Sequence, residues 1–525
     1  MGLFGKWSRR DLLKSSGVGA IAPLAMAVSP ALAQGVPAHS GTEKDNLFTR
    51  IGVRPLINGR GTYTIISGSR SLPEVKQAMF EASHYYVQMD EMMTGIGAEL
   101  GRLMGAEWGI VTNGAESAIC LATIACIAGA NVEKCQSLPY IKAKDQVIIP
   151  SYSRNPYDLG VRMVGAEVVE VETPEEARAK ISDRTAMIYV MSGPPAEKDA
   201  LNIPTLIAIA KEKGVPILVD AAAEEPLNPN PHLSRGATLV CYSGGKCLRG
   251  PQSSGILLGD KNLCQAAYFQ AAPHHCYGRA LKCSKEESMG LLAAVRQWYK
   301  RDHAAEQHMW LSWMQGIEAR LKPLPSTSFE YLQPEDLSNK AVQLRVKWDA
   351  NVLKITGPEL VAKLDAGSPR ILINAGSGRR PDQMDSSVTI MPYMLDPGEA
   401  HIIAEAMHAA LTHPGPYPDP VAPSGSPAAI AGDWTVTVQY LRGEGTQKFT
   451  IRQNGERVSG THIGEHYKGD LHGRVRGGQV ELRTVMEVPG NPIHWTFTGS
   501  VQGNAMSGKA DMGEYGPATW TGARA

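Results

Sequence analysis

Ser243-Gly244-Gly245-Lys246-Cys247-Leu248-Arg249-Gly250-Pro251-Gln252 sets one lysine in a glycine-rich turn, just downstream of a serine. The apolar run Thr238-Leu239-Val240-Cys241-Tyr242 leads into it. Upstream, a second apolar run, Val215-Pro216-Ile217-Leu218-Val219-Asp220, ends in an acid. A lysine amine is a weak nucleophile at its free pKa and gains reactivity when desolvated or set near cationic groups. Gly244 and Gly245 clear side chains from around Lys246, and Arg249 adds positive potential. An acid at the end of a buried strand is costly unless it is paired.

A third stretch, Val111-Thr112-Asn113-Gly114-Ala115-Glu116-Ser117, runs from a strand through small residues into a helix. Free N–H groups and the helix dipole favour an anion there. Asn113, Gly114 and Ala115 are the expected contacts, with an ordinary Asn-capped helix start as the alternative. Strand–acid followed by strand–Ser-x-x-Lys is an order of polar groups suited to pyridoxal phosphate. Lys246 would form the Schiff base, Asp220 would pair with the pyridinium nitrogen, and Ser243 would reach the phosphate. The plain alternatives are a surface lysine in a turn and a strand-end aspartate capping its own loop.

The chain has 525 residues, enough for two or three domains. Lys+Arg and Asp+Glu are both 52, a balance that argues against a nucleic-acid partner. Ser8-Arg9-Arg10-Asp11-Leu12-Leu13-Lys14, a mild apolar stretch and Ala31-Leu32-Ala33 resemble a twin-arginine signal peptide over residues 1–33. The expectation is an exported, periplasmic protein without a membrane span. Eight cysteines form no CxxC pair, so no metal site is expected. They read as small buried hydrophobes, although export permits disulfides. Cys247, beside the lysine, is the candidate reactive thiol.

Alternating apolar and amphipathic stretches predict an α/β fold with a large domain over 45–330 and a smaller α+β lobe over 331–412. Strands are expected at 108–112, 146–150, 167–171 and 186–190, and helices at 116–128, 205–213, 285–313 and 399–411. Residues 413–428 are proline-rich and predict an extended linker. Over 429–525, alternating runs separated by Asn454-Gly455, Gly477-Gly478 and Gly503-Asn504 predict an antiparallel β-meander closing into a small barrel. Trp434, Trp495 and Trp520 are expected inside it, or at its mouth as a ligand or docking site.

Several segments together resemble one family. They are Leu56-Ile57-Asn58-Gly59-Arg60-Gly61-Thr62, Glu99 to Glu107, Val111 to Ala115, and Arg154-Asn155-Pro156-Tyr157-Asp158. Val219 to Glu224, Ser243 to Gly255, and Gly278-Arg279-Ala280-Leu281-Lys282 with Lys285-Glu286-Glu287 complete the set. Over residues 45 to 412 the chain resembles the selenocysteine synthase-like fold-type I pyridoxal phosphate enzymes, and especially members related to D-glucosaminate-6-phosphate ammonia lyase. The resemblance implies a large, mostly parallel sheet, a small lobe, the cofactor pyridoxal 5'-phosphate, and a homodimer or higher homo-oligomer. In that family a histidine commonly precedes the Arg-Asn-x-Tyr-Asp run. Here Ser153 stands there beside Tyr152, and the two are the candidate ring contacts. Arg370, Arg279 and Arg154 are candidates for gripping the carboxylate of a small amino-acid-type substrate. The implied activity acts at Cα or Cβ of an amino acid or amino sugar acid, with α,β-elimination favoured. Racemisation or group transfer, and a catalytically silent binding protein, are the alternatives.

Overall fold

The computed structural model describes residues 45–140, 143–334, 337–420 and 423–525. The expected signal segment lies outside these residues.

The large sheet is built from β2 (Trp108–Thr112), β3 (Gln146–Pro150), β4 (Glu167–Val171), β5 (Thr185–Met191), β6 (Ile217–Asp220), β7 (Leu239–Ser243) and β8 (Gly255–Gly259). Their order is β2-β8-β7-β6-β5-β3-β4. Only β8 runs antiparallel to its neighbours. The central strands are apolar runs buried along their length, as parallel strands covered on both faces must be. The helix Gly114–Ala128 is apolar on nearly every side and packs beneath the sheet. The expected strands 108–112, 146–150 and 167–171 match the observed bounds.

The helix expected over 285–313 is two helices, Lys285–Trp298 and His303–Leu321. The second starts where Asp302 accepts the Ala305 N–H at 2.9 Å. A local cap thus overrides a continuous apolar period. Arg301, in the break, donates to the Cys247 carbonyl at 3.1 Å and lies over the Trp298 ring.

A second sheet orders β1 (Leu56–Gly59), β11 (Arg370–Ala375), β12 (Asp385–Ile390), β10 (Gln343–Asp349) and β9 (Ser328–Leu332). Its edge strand β1 comes from the N-terminal segment and pairs parallel with β11, Leu56 against Arg370 and Gly59 against Ile373. Residues near 56–59 therefore join the small lobe, a long-range pairing that local sequence does not encode.

The remaining strands, β13 (Gly432–Gln439), β14 (Glu444–Asn454), β15 (Arg457–Ile463), β16 (Lys468–Arg476), β17 (Gln479–Met486), β18 (Ile493–Gln502), β19 (Ala505–Asp511) and β20 (Pro517–Arg524), form a closed up-and-down barrel. Closure by β13 against β20 removes both sheet edges. Trp434, Trp495 and Trp520 are core residues, 1%, 7% and 1% exposed. Phe449 and Phe497 pack among them.

Candidate active site

Register brings the lysine loop and the helix start together. Thr112 on β2 lies opposite Gly255 on β8, and Gly255 lies opposite Ser243 on β7. A Cβ on Gly255 would reach within 2.6 Å of the Ala115 nitrogen, so only glycine lets β8 pass under the helix start. Gly114 adopts φ +80°, which glycine tolerates. Asn113 does not cap this helix. Its Nδ2 donates instead to the Lys282 carbonyl at 3.1 Å. The N–H groups of Gly114 and Ala115 consequently find no acceptor among the described residues. Ser243 Oγ likewise makes no hydrogen bond there.

Asp220 ends β6 opposite Cys241 of β7, two residues before Ser243 on the same strand face. It is 3% exposed. Oδ2 accepts from the Tyr189 hydroxyl at 2.9 Å, and Oδ1 from the Ala222 N–H at 3.0 Å and the Cys241 thiol at 3.5 Å. Asn155 Nδ2 donates to the Tyr189 oxygen at 3.2 Å, extending the relay to the loop after β3. Burial pushes the Asp220 carboxyl above its usual value, against the pull of the Ala222 N–H, the Tyr189 hydroxyl, the Lys246 charge and the Cys241 thiol. No cation is bonded to this carboxylate among the described residues.

Lys246 is half-buried, and its Nζ makes no hydrogen bond or ion pair among the described residues. The loop holding it folds back on itself: Gly244 N–H donates to Ser254 O, and Gly250 N–H to Gly244 O, both at 2.8 Å. A Cβ on Gly245 would meet Gln252 Oε1 at 2.7 Å. These glycines are thus required by the packing of the turn on residues 252–254. Cys247 is buried: burial pushes its thiol up to about 12, and Sγ donates to the Glu224 carbonyl at 3.4 Å. All eight cysteines are free.

The other candidates separate. Ser153 is fully buried, its hydroxyl accepting the Met191 N–H at 3.2 Å. Tyr152 is half-buried, its hydroxyl donating to the Leu201 carbonyl at 2.7 Å. Arg154 is committed to Asp158 at 2.6 Å and to Glu170, so it braces its own loop and is not free to grip a carboxylate. Arg370 starts β11 and pairs with Asp365 at 2.6 Å. The opposite end of β1 and β11 is the one that faces the site. There the chain turns through Gly61 and Thr62 onto Asn339, next to Lys340, which pairs with Glu225 at 3.8 Å. Arg370 is therefore about 10 Å or more along the strand from that end. Arg279 fits better. It is half-buried, with no ion pair among the described residues, in the loop that runs from Leu121 to Asn113 along the helix Gly114–Ala128.

Tyr157, Tyr189 and Asn155 are the residues that motif reading leaves without a role. Tyr157 is 51% exposed, yet burial and the carboxylates of Asp220, Glu116 and Glu514 all push its phenol up. It stands within electrostatic reach of both Asp220 and the helix start. Its signal was the Arg-Asn-x-Tyr-Asp run itself. Tyr189 sits inside an apolar strand, where only register reveals its contact with Asp220.

Pyridoxal phosphate fits these residues group for group. Among the described residues the buried Asp220 carboxylate is bonded to no cation, the Gly114 and Ala115 N–H groups and the Ser243 hydroxyl meet no partner, and Lys246 Nζ makes no bond. Gly255 lets β8 lie directly against the backbone of the helix start.

A family model described as Cys/Met metabolism PLP-dependent enzyme matches residues 38–286. D-glucosaminate-6-phosphate ammonia lyase of Salmonella typhimurium (strain 14028s / SGSC 2262) is 27% identical over 334 residues, 61% of this chain and 87% of that one. 5'-C-glycyluridine monooxygenase-decarboxylase of a Streptomyces species is 30% identical over 345 residues, 62% of this chain and 83% of that one. L-seryl-tRNA(Sec) selenium transferase of Proteus mirabilis (strain HI4320) is 32% identical over 155 residues, 25% of this chain and 32% of its own length. A solved D-glucosaminate-6-phosphate ammonia-lyase superposes with a TM-score of 0.62 at 24% identity, covering 70% of this chain and 99% of that one, which establishes the shared fold. With that fold, these relatives and a site cut for the cofactor, the chain belongs to the fold-type I pyridoxal-phosphate-dependent enzymes that include D-glucosaminate-6-phosphate ammonia lyase and L-seryl-tRNA(Sec) selenium transferase.

Proposed function

We propose that the protein catalyses α,β-elimination from an amino acid or amino sugar acid. The buried Asp220 carboxylate, bonded to no cation among the described residues and within reach of the Lys246 charge, carries this reading. Lys246 would hold the cofactor covalently and Asp220 its ring nitrogen. Ser243 and the N–H groups of Gly114 and Ala115 would hold its phosphate. When bound, the cofactor supplies a protonated ring that draws electrons from the substrate's Cα.

The protein's part is positioning and proton transfer. Asp220 would be kept ionised by the protonated ring nitrogen and would hold that proton in place. Tyr189 and Asn155 fix the orientation of that carboxylate. Arg279 receives the substrate carboxylate. Lys246 takes the Cα proton and passes it to the group departing from Cβ. Similarity to an ammonia lyase supports elimination over racemisation, which would return the proton to Cα.

Borohydride reduction followed by peptide mapping should place the cofactor on Lys246. Incubation with D- and L-amino acids and amino sugar acids should release a 2-oxo acid and ammonia. Inverted stereochemistry without ammonia would replace elimination by racemisation. The proposal includes twin-arginine export to the periplasm and assembly as a homodimer or larger homo-oligomer. Replacing Arg9 and Arg10 by Lys should leave precursor in the cytoplasm, and sedimentation of the holoenzyme should exceed the monomer mass.

A further inference from the structure

The barrel touches the large domain at the loop that carries Tyr157. Gly490, between β17 and β18, has φ +77°. A Cβ there would lie 2.9 Å from the Asn155 nitrogen and oxygen and 3.1 Å from Asp158 Oδ2. Only a glycine lets the barrel loop rest on that backbone. The loop it meets is braced by its own side chains. Asp158 Oδ1 and Oδ2 accept from Arg162 and Arg154 at 2.9 and 2.6 Å, and Tyr157 N–H donates to Asn155 Oδ1 at 2.8 Å. The same Asn155 bonds to Tyr189, which bonds to Asp220. An unbroken set of contacts therefore joins the barrel to the acid at the centre of the site.

A second barrel loop lies at the same rim. Asn491 Nδ2, next to Gly490, donates to the Tyr515 hydroxyl at 2.8 Å. Tyr515 ends the turn Gly513–Tyr515 between β19 and β20. Its neighbour Glu514 is exposed, yet its charge reaches the Tyr157 phenol, as do those of Asp220 and Glu116. Half of Tyr157 remains open to solvent.

We propose that the barrel completes the active site: Glu514, with Tyr157, forms a subsite for the end of the substrate remote from Cα, and that end carries hydroxyl groups without a phosphate. The inference rests on the elimination reading above. A carboxylate and a phenol accept hydrogen bonds from hydroxyls, whereas a phosphate beside Glu514 meets a like charge. The barrel is then a specificity element, positioned by Gly490 and read out through Glu514.

The test titrates the holoenzyme with D-glucosaminate and with D-glucosaminate 6-phosphate, following the visible absorbance of the cofactor. The unphosphorylated acid should bind about tenfold tighter or more, and E514Q should shrink that preference to within about twofold while leaving the free holoenzyme spectrum unchanged. Tighter binding of the phosphorylated acid, no response to either, or an E514Q preference equal to wild type overturns the subsite. Glu514 is exposed, so E514Q leaves the fold intact. Gly490→Ala should raise hydrogen exchange at the Asn155 and Tyr157 amides, and unchanged exchange overturns the contact. A protein with no cofactor band and no borohydride adduct at Lys246 would instead overturn the elimination reading, a distinct outcome.

Discussion

Asp220 and His462 are both enclosed titratable side chains, 3% and 0% exposed, and in both burial favours the neutral form. Their surroundings differ. Asp220 closes a strand at the open end of a parallel sheet, within reach of the unpartnered Lys246 and in line with Ser243. His462 lies mid-strand in a closed barrel, with Nε2 on Gln447 Oε1 at 2.7 Å and its ring against Phe449 and Trp495. Among the described residues its Nδ1 has no partner, and neither do the nearby Thr484 Oγ1 and Trp495 Nε1. A displaced pKa therefore marks enclosure. A site requires, in addition, unpartnered groups of complementary chemistry converging on one opening.

Lys246→Ala would break the comparison most severely. Turnover should fall by about 10⁴-fold or more, with the cofactor no longer trapped by borohydride and the melting temperature of the apoprotein little changed. Asp220→Asn comes next. It should lower turnover by about 10²–10³-fold, because the ring nitrogen loses its charged partner. It should also do something opposite to the apoprotein. The folded-state pKa of Asp220 is raised above 3.8, so the folded protein binds its proton more tightly than the unfolded chain. That contribution to stability is present below the unfolded value and lost as pH rises through the folded one. At pH 7 apo Asp220→Asn should melt above apo wild type, and a lower melting temperature would show that a cation already neutralises the carboxylate.

The lysine loop, the acid and the helix start were legible because each carries a local signature: a glycine turn, an apolar run ending in Asp, a small-residue helix entry. The barrel was legible from alternation and turn dipeptides. What escaped depends on contacts between distant segments. The pairing of β1 with β11, the Tyr189 bridge to Asp220 and the seat of Gly490 on Asn155 leave no periodic trace. The sequence offers Asn113 as a cofactor contact, or else as a cap; its side chain instead donates to the Lys282 carbonyl and leaves the helix N–H groups open. The break at Asp302 escaped because the apolar spacing continues across it.

His462 offers the next effect in size and tests the enclosed half of the comparison. Burial lowers its pKa from 6.5 to about 4, so the unfolded chain takes up a proton that the barrel refuses. Stability is full above pH 6.5 and falls as pH drops toward 4, by about 3 kcal/mol at the lower end. Urea unfolding at pH 7 and pH 4.5 should show this loss in wild type and a smaller one in His462→Gln. Equal losses would mean that Nδ1, once protonated, finds an acceptor inside the barrel.

The smallest effects separate the arginines. Arg370 shares a partly exposed pair with Asp365, their side chains 32% and 39% exposed, and such pairs contribute about 0–1 kcal/mol. Arg370→Gln should leave KM within about twofold and stability within about 1 kcal/mol. Arg279 has no ion pair among the described residues and lies in the loop that Asn113 holds to the helix start. Arg279→Gln should raise KM about tenfold or more with little change in kcat, the pattern of binding energy shared by substrate and transition state. If Arg370→Gln raised KM instead, the sheet that carries β11 would have to shift as a body toward the large sheet during catalysis, because no side-chain motion alone carries Arg370 along its own strand.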